Sequence, residues 1–175
     1  TDSAAPNLAT AAPRPPGDSY ASLVSSNAER EFGSTVNLIS PTSITKLFQS
    51  PSSLSALAWR ADGEVLALAN QTSLVLVTLL AGETQTLSLP APASSLSWRG
   101  ADVIVQTTAG PLVLPAGATQ PTKLTLDPSV ARDLIALDAE QFAWLTGDDQ
   151  LTIQTVGQPP TAVGISAHAL LGVAQ

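Results

Sequence analysis

Short apolar runs separated by turn residues recur along this chain. Residues 54–59 alternate apolar and small side chains, and Ala61-Asp62-Gly63 follows as a tight turn with a glycine available for positive φ. Residues 65–69 form a buried run, Asn70-Gln71-Thr72 turns, and residues 74–79 are β-branched and leucine-rich. Ala81-Gly82-Glu83 turns again, and residues 84–89 close the unit before Pro90. The pattern predicts four short strands.

The unit repeats. Trp59 sits in Ser55-Ala56-Leu57-Ala58-Trp59-Arg60 and Trp98 in Ser94-Ser95-Leu96-Ser97-Trp98-Arg99, so the two tryptophans at positions 59 and 98 are 39 residues apart. The same step again reaches Leu137, inside a third stretch with apolar, turn-like and apolar parts in the same order. The second unit predicts strands at residues 94–98, 103–107, 112–114 and 122–126; the third predicts them at 134–137, 141–145, 150–155 and 161–165. Four strands in a repeat of this length fit one propeller blade, for which about 40–45 residues are expected.

Ala58-Trp59-Arg60-Ala61-Asp62-Gly63-Glu64-Val65-Leu66-Ala67 resembles the Trp-Ser-Pro-Asp-Gly-Lys-x-Leu-Ala core of WD40-like and TolB-type propeller repeats. The likeness covers residues 34–165 and is strongest in the first unit, while in the third Leu137 replaces the tryptophan and no Asp-Gly follows. No unit carries the Gly-His or Trp-Asp dipeptides of the strict pattern, so the resemblance implies a fold and no particular partner. The expected architecture is all-β and propeller-like, with three complete four-stranded blades at about residues 53–90, 91–126 and 127–165. Partial blades are expected at each end, from residues 34–38 and 42–48 at the front and residues 167–174 at the back.

Ahead of the repeats, residues 1–19 carry Pro6, Pro13, Pro15 and Pro16 among small polar residues, which reads as an extended arm or tether. Residues 20–33 read as a short connecting segment, helix or surface strip, and residues 34–175 as the repeat domain. The chain has no methionine, and a tether of this kind is expected behind a removed export signal or a lipid anchor. The expected location is therefore extracytoplasmic, with an interdomain linker as the competing reading. Residues 65–82 lack charge, but their polar centre at residues 70–73 suits two strands and a turn better than a membrane span.

Composition narrows the chemistry. Seven Lys and Arg against 14 Asp and Glu give a net charge of −7, the wrong sign for holding nucleic acid. With no cysteine and one histidine, disulfides, thiolate sites and multi-histidine metal centres are excluded, and no cofactor is expected. Nucleotide-binding, hydrolase and haem-attachment motifs are also absent.

Trp59 and Trp98 are read as wedges between blades. Arg60 and Arg99 recur with them on one rim, either gripping a carboxylate of a protein partner or answered locally by Asp62 and Asp102. Trp144 falls off the register. His168 has no convergent partner, Gly147-Asp148-Asp149 suits a hairpin turn better than a cation loop, and Asp138 with Glu140 flanks another turn. Asn70-Gln71-Thr72 matches a glycosylation acceptor but needs only a turn to explain it.

These features point to a non-enzymatic interaction module, an accessory or scaffold subunit docking on a larger assembly or on itself, with membrane contact only through a partner or a processed N-terminus. The alternative is a propeller enzyme or small-ligand binder with its site at a central channel, where Arg132 and Asp133 are the main polar residues. Open blade edges, with apolar Val36, Leu38 and Ile44 at the front and Leu170, Leu171 and Val173 at the back, lead one to expect self-association or a capping partner.

Overall fold

The computed structural model describes residues 8–28, 31–126 and 132–167, and every regular element among them is a β-strand. Sixteen strands make four antiparallel sheets, each of four strands in chain order. Blade 1 holds β1 (Leu8–Pro13), β2 (Tyr20–Ala28), β3 (Glu31–Ser40) and β4 (Ser43–Ser50). Blade 2 holds β5 (Ala56–Trp59), β6 (Val65–Ala69), β7 (Ser73–Thr78) and β8 (Glu83–Ser88). Blade 3 holds β9 (Ala93–Arg99), β10 (Asp102–Thr107), β11 (Gly110–Leu114) and β12 (Thr122–Lys123). Blade 4 holds β13 (Arg132–Ala136), β14 (Gln141–Leu145), β15 (Gln150–Thr155) and β16 (Thr161–Ser166).

Strand alternation gives blades 2 and 3 one face toward the preceding blade and one toward the next. Leu57, Trp59, Leu66, Leu68, Val75 and Val77 of blade 2 bury against Ala21, Leu23 and Val36 of blade 1. The other face of blade 2, with Ala67, Ala69, Leu74 and Leu87, meets Val103, Val105 and Leu114 of blade 3. Ile104 and Val113 then pack on Leu134, Phe142 and Trp144 of blade 4. The core is thus three layers between blades. The first strands β1, β5, β9 and β13 pack in succession, while no comparable packing joins β13 to β1 among the described residues.

Blade 1 departs from the sequence reading. The front blade, read as two strands, has four, because residues 20–28 extend as β2 along β3 over nine paired positions. Neither a helix nor a loose surface strip forms there: Ala21 and Leu23 face blade 2 and are buried. The arm at residues 1–19 is likewise corrected from residue 8 onward. Leu8–Pro13 is β1 and pairs with β2, and Pro15 and Pro16 fall in the connection between them. The prolines therefore punctuate a hairpin, with Pro13 at the end of an edge strand where its missing N–H interrupts no ladder. Residues 1–7 lie outside the described residues.

The remaining differences are smaller. Residues 122–126 shorten to a two-residue β12. Val36 and Leu38 point into the layer shared with blade 2 and are not on an open front face, whereas Ile44 is exposed. The back strand expected at residues 167–174 lies outside the described residues beyond Ala167. No helix long and apolar enough to cross a membrane occurs among the described residues. The polar break at residues 70–73 is a side-chain-supported turn in which Asn70 Oδ1 accepts the N–H groups of Thr72 and Ser73 at 2.8 and 2.7 Å.

Candidate interaction face

Because each blade runs up and down in chain order, the connections between its first and second strands and between its third and fourth strands share one rim. Three arginines line that rim, each placed just after or at the end of a first strand: Arg14, Arg60 and Arg99. Each guanidinium reaches over an aromatic ring of the next blade. Arg14 stands 5.7 Å from the ring centre of Trp59, Arg60 5.9 Å from that of Trp98, and Arg99 5.7 Å from that of Phe142. These are cation–π distances.

Hydrogen bonds reinforce the same steps. Arg14 Nε donates to the Gly63 carbonyl at 2.7 Å, Arg99 Nη1 to the Ala139 carbonyl at 3.1 Å, and Trp98 Nε1 to the Ala58 carbonyl at 3.0 Å. In blades 2 and 3 the arginine is also held by an acid of its own blade: Arg60 pairs with Asp62 at 2.6 Å and Glu64 at 3.8 Å, and Arg99 with Asp102 at 2.9 Å. The 39-residue recurrence of Arg60 and Arg99 therefore builds a ladder of inter-blade clamps, which Arg14 extends to blade 1. Its role was hidden in sequence because Pro15 and Pro16 follow it.

The Arg60 hydrogen bond holds the Asp62 carboxyl below its ordinary 3.8 against the opposing effect of burial, with a lesser contribution from the N–H of Glu64. A depressed carboxyl stabilises the fold when ionised, so its contribution is present above the unfolded value and is lost as pH falls through the lower folded one. Asp62→Asn is accordingly expected to weaken the protein at neutral pH, with the difference from the parent starting to shrink as melts are taken below about pH 4 and gone only below the lower folded value. A difference that persists unchanged into acid would contradict this.

The rim also collects exposed apolar side chains. Of the six large exposed hydrophobic residues among the described residues, Tyr20, Ile44, Leu80 and Val156 stand on it, and Val163 and Ile165 lie on β16. Pro13, Tyr20, Ile39 and Ile44 are direct cross-strand partners in a row across blade 1. Asp62, Glu64 and Asp102 answer the arginines, while Asp18, Glu83, Asp138 and Glu140 are exposed on the same rim. Its accessible charge is negative. A cleft of about 500 Å³ opens there between blades 2 and 3.

The other residues singled out in sequence are turn and core elements. Trp144 lies on β14, fully buried in the layer between blades 3 and 4, where the second strand supplies the large rings because the first offers Ala136. Asp138 Oδ1 accepts the N–H groups of Glu140 and Gln141 at 2.8 and 2.7 Å, so it organises a turn. Asp148 and Asp149 sit in the β14–β15 turn, Asp149 with φ of 65°. Asp133 is on the first strand of blade 4 with φ of 51°, next to Arg132. No three His, Cys, Asp or Glu groups are placed to hold a metal among the described residues. His168 lies outside them.

No protein-family model and no curated protein sequence matches the chain. Solved structures do. The β-propeller domain of Myceliophteria thermophila Cps50 (Swd1) aligns with a TM-score of 0.65 and 16% identity over 86% of this chain and 52% of its own. The C-terminal WD40 domain of Sif2 aligns with a TM-score of 0.59 and 18% identity, covering 93% of this chain and 50% of that one. A chain of a mitotic checkpoint complex aligns with a TM-score of 0.66 and 15% identity over 82% and 45%. The fold is that of a WD40-like β-propeller, and the chain spans about half the length of the structures it matches.

Proposed function

We propose that this set of blades is a protein-interaction module, an accessory or scaffold subunit that docks on a larger assembly through its arginine rim. The observation that carries the reading is the concentration of Tyr20, Ile44, Leu80 and Val156 on one rim. Exposed aromatic and aliphatic groups ringed by charge mark interaction sites, and the clamps beneath them keep the surface pre-organised, which lowers the entropic cost of binding. The likeness to a chain of a multiprotein complex supports a binding role. Arg60 and Arg99 contribute through the side of each guanidinium that its clamp leaves open to solvent.

Tyr20→Asp and Leu80→Asp are each expected to weaken association with the protein partner recovered from the native source by about tenfold or more, as loss of a contact anchor does. Gln71→Asp, on the opposite rim, is expected to leave it unchanged. Equal binding by all three variants, read by surface plasmon resonance with melting curves as a folding control, would refute the assignment.

A further inference from the structure

The cleft between blades 2 and 3 has a local cause. The outer strands β4, β8 and β16 have 8, 6 and 6 residues, but β12 has 2, and residues 115–121 loop past in its place. The outer part of blade 3 is therefore missing where it would lie beside β8. Five of the six β8 side chains are exposed, with only Leu87 buried. The result is a slot whose inner surface is Leu76, Val103 and Leu114, whose inner wall is Trp98, and whose outer wall carries Thr84 and Gln85.

Leu76 and Trp98 are only half-buried, so the slot offers apolar surface that the fold leaves partly wet. Its volume of about 500 Å³ falls within the range of built binding sites, roughly 300–1,000 Å³. At its mouth the Glu83 carboxylate is exposed and without an ion pair among the described residues. The Arg60 charge at the other end is already matched by Asp62 and Glu64. Apolar depth and a negative mouth, on a chain of net charge −7, select a ligand of complementary character.

We propose that this cleft receives a short basic and apolar segment of the partner protein, an aliphatic side chain entering between Leu76 and Trp98 with an adjacent Lys or Arg meeting Glu83. The inference rests on the rim being the interaction face and adds the chemistry of what binds there. Thr84 and Gln85 supply hydroxyl and amide groups for the segment's backbone.

The test uses the full chain and three short labelled peptides, built on alternating Lys-Leu, Glu-Leu and Lys-Ser, read by fluorescence anisotropy. Lys-Leu is expected to bind saturably, with the other two at least about tenfold weaker, since each removes one of the two complementary features. Gln85→Trp, which fills the slot from an exposed strand position, and Glu83→Lys, which reverses the mouth, are each expected to weaken Lys-Leu by about tenfold or more while melting like the parent. The proposal fails if Gln85→Trp binds unchanged, if Glu-Leu or Lys-Ser binds as well as Lys-Leu, or if no saturation occurs below about 1 mM, the weak end of recognition. Should the native partner still be lost by Tyr20→Asp but kept by Gln85→Trp, the cleft assignment falls and the rim assignment stands.

Discussion

Trp59→Ala is expected to destabilise the protein by about 3–5 kcal/mol, the range for removing a large buried ring from a core. Trp59 is 5% exposed and lies in the layer shared with Leu23 and Val36 of blade 1, so its removal opens a cavity between two sheets at the largest side chain of that layer. The same change also removes the platform under Arg14, loosening the rim above the cavity. Trp144→Ala, at 0% exposure between blades 3 and 4, is expected to cost as much. Trp98 is half-buried, and Trp98→Ala is expected to fall at the low end of that range despite its hydrogen bond to Ala58. Urea unfolding followed by far-ultraviolet circular dichroism checks all three. Midpoints equal to the parent's would mean that the rings do not hold the blades together.

The second large effect is expected at a glycine. Gly63 has φ of +69°, and a Cβ there would stand 1.8 Å from the Pro15 carbonyl oxygen, a backbone atom that cannot move without carrying the β1–β2 connection with it. Gly82 has nearly the same φ, +64°, but a Cβ added there would meet nothing within 4 Å. Gly82→Ala therefore carries only the left-handed backbone cost, about 1–2 kcal/mol. Gly63→Ala carries that cost and a clash that pushes blade 1 off blade 2, breaking the Arg14 hydrogen bond to the Gly63 carbonyl. Its destabilisation is expected to exceed that of Gly82→Ala by about 2 kcal/mol or more, in the range of severe single substitutions. Comparable losses for the two would show that β1 is not seated against the Gly63 turn.

Why blades 2 to 4 were legible while blade 1 was not follows from where their signals sit. In blade 2 the run Val65–Ala69 is apolar throughout because both faces are covered, and the Asp62-Gly63 turn fixes its start. Blade 1 lacks that contrast. β1 is built from small residues, Leu-Ala-Thr-Ala-Ala-Pro, whose composition is that of a linker unless a neighbouring strand is known to be present. β2 places Ser22 between Ala21 and Leu23, a weak alternation that a short helix mimics. The arginine ladder was half visible. The recurrence of Arg60 and Arg99 marked a shared rim, but their stacking on Trp98 and Phe142 depends on which strand ends face each other across blades, and spacing along the chain does not encode that. The cleft was invisible, since it arises from the two residues of β12 where a longer strand was expected.

The rim divides its charges between two roles. All three arginines are held by the next blade, and Arg60 and Arg99 also by acids of their own blade, so their main role is structural and most of the charge offered to solvent comes from Asp18, Glu83, Asp138 and Glu140. A surface organised in this way presents fixed apolar positions in an acidic field, which favours encounter with a basic partner and makes that encounter sensitive to salt.

The most direct measurement is a hydrogen-exchange footprint of the protein alone and with the partner recovered from its native source. The account predicts new protection in the rim connections at residues 14–19, 60–64, 79–82 and 115–121, with the opposite turns at residues 70–72 and 146–149 unchanged. Protection confined to those opposite turns, with the arginine rim exchanging as in the free protein, would contradict it.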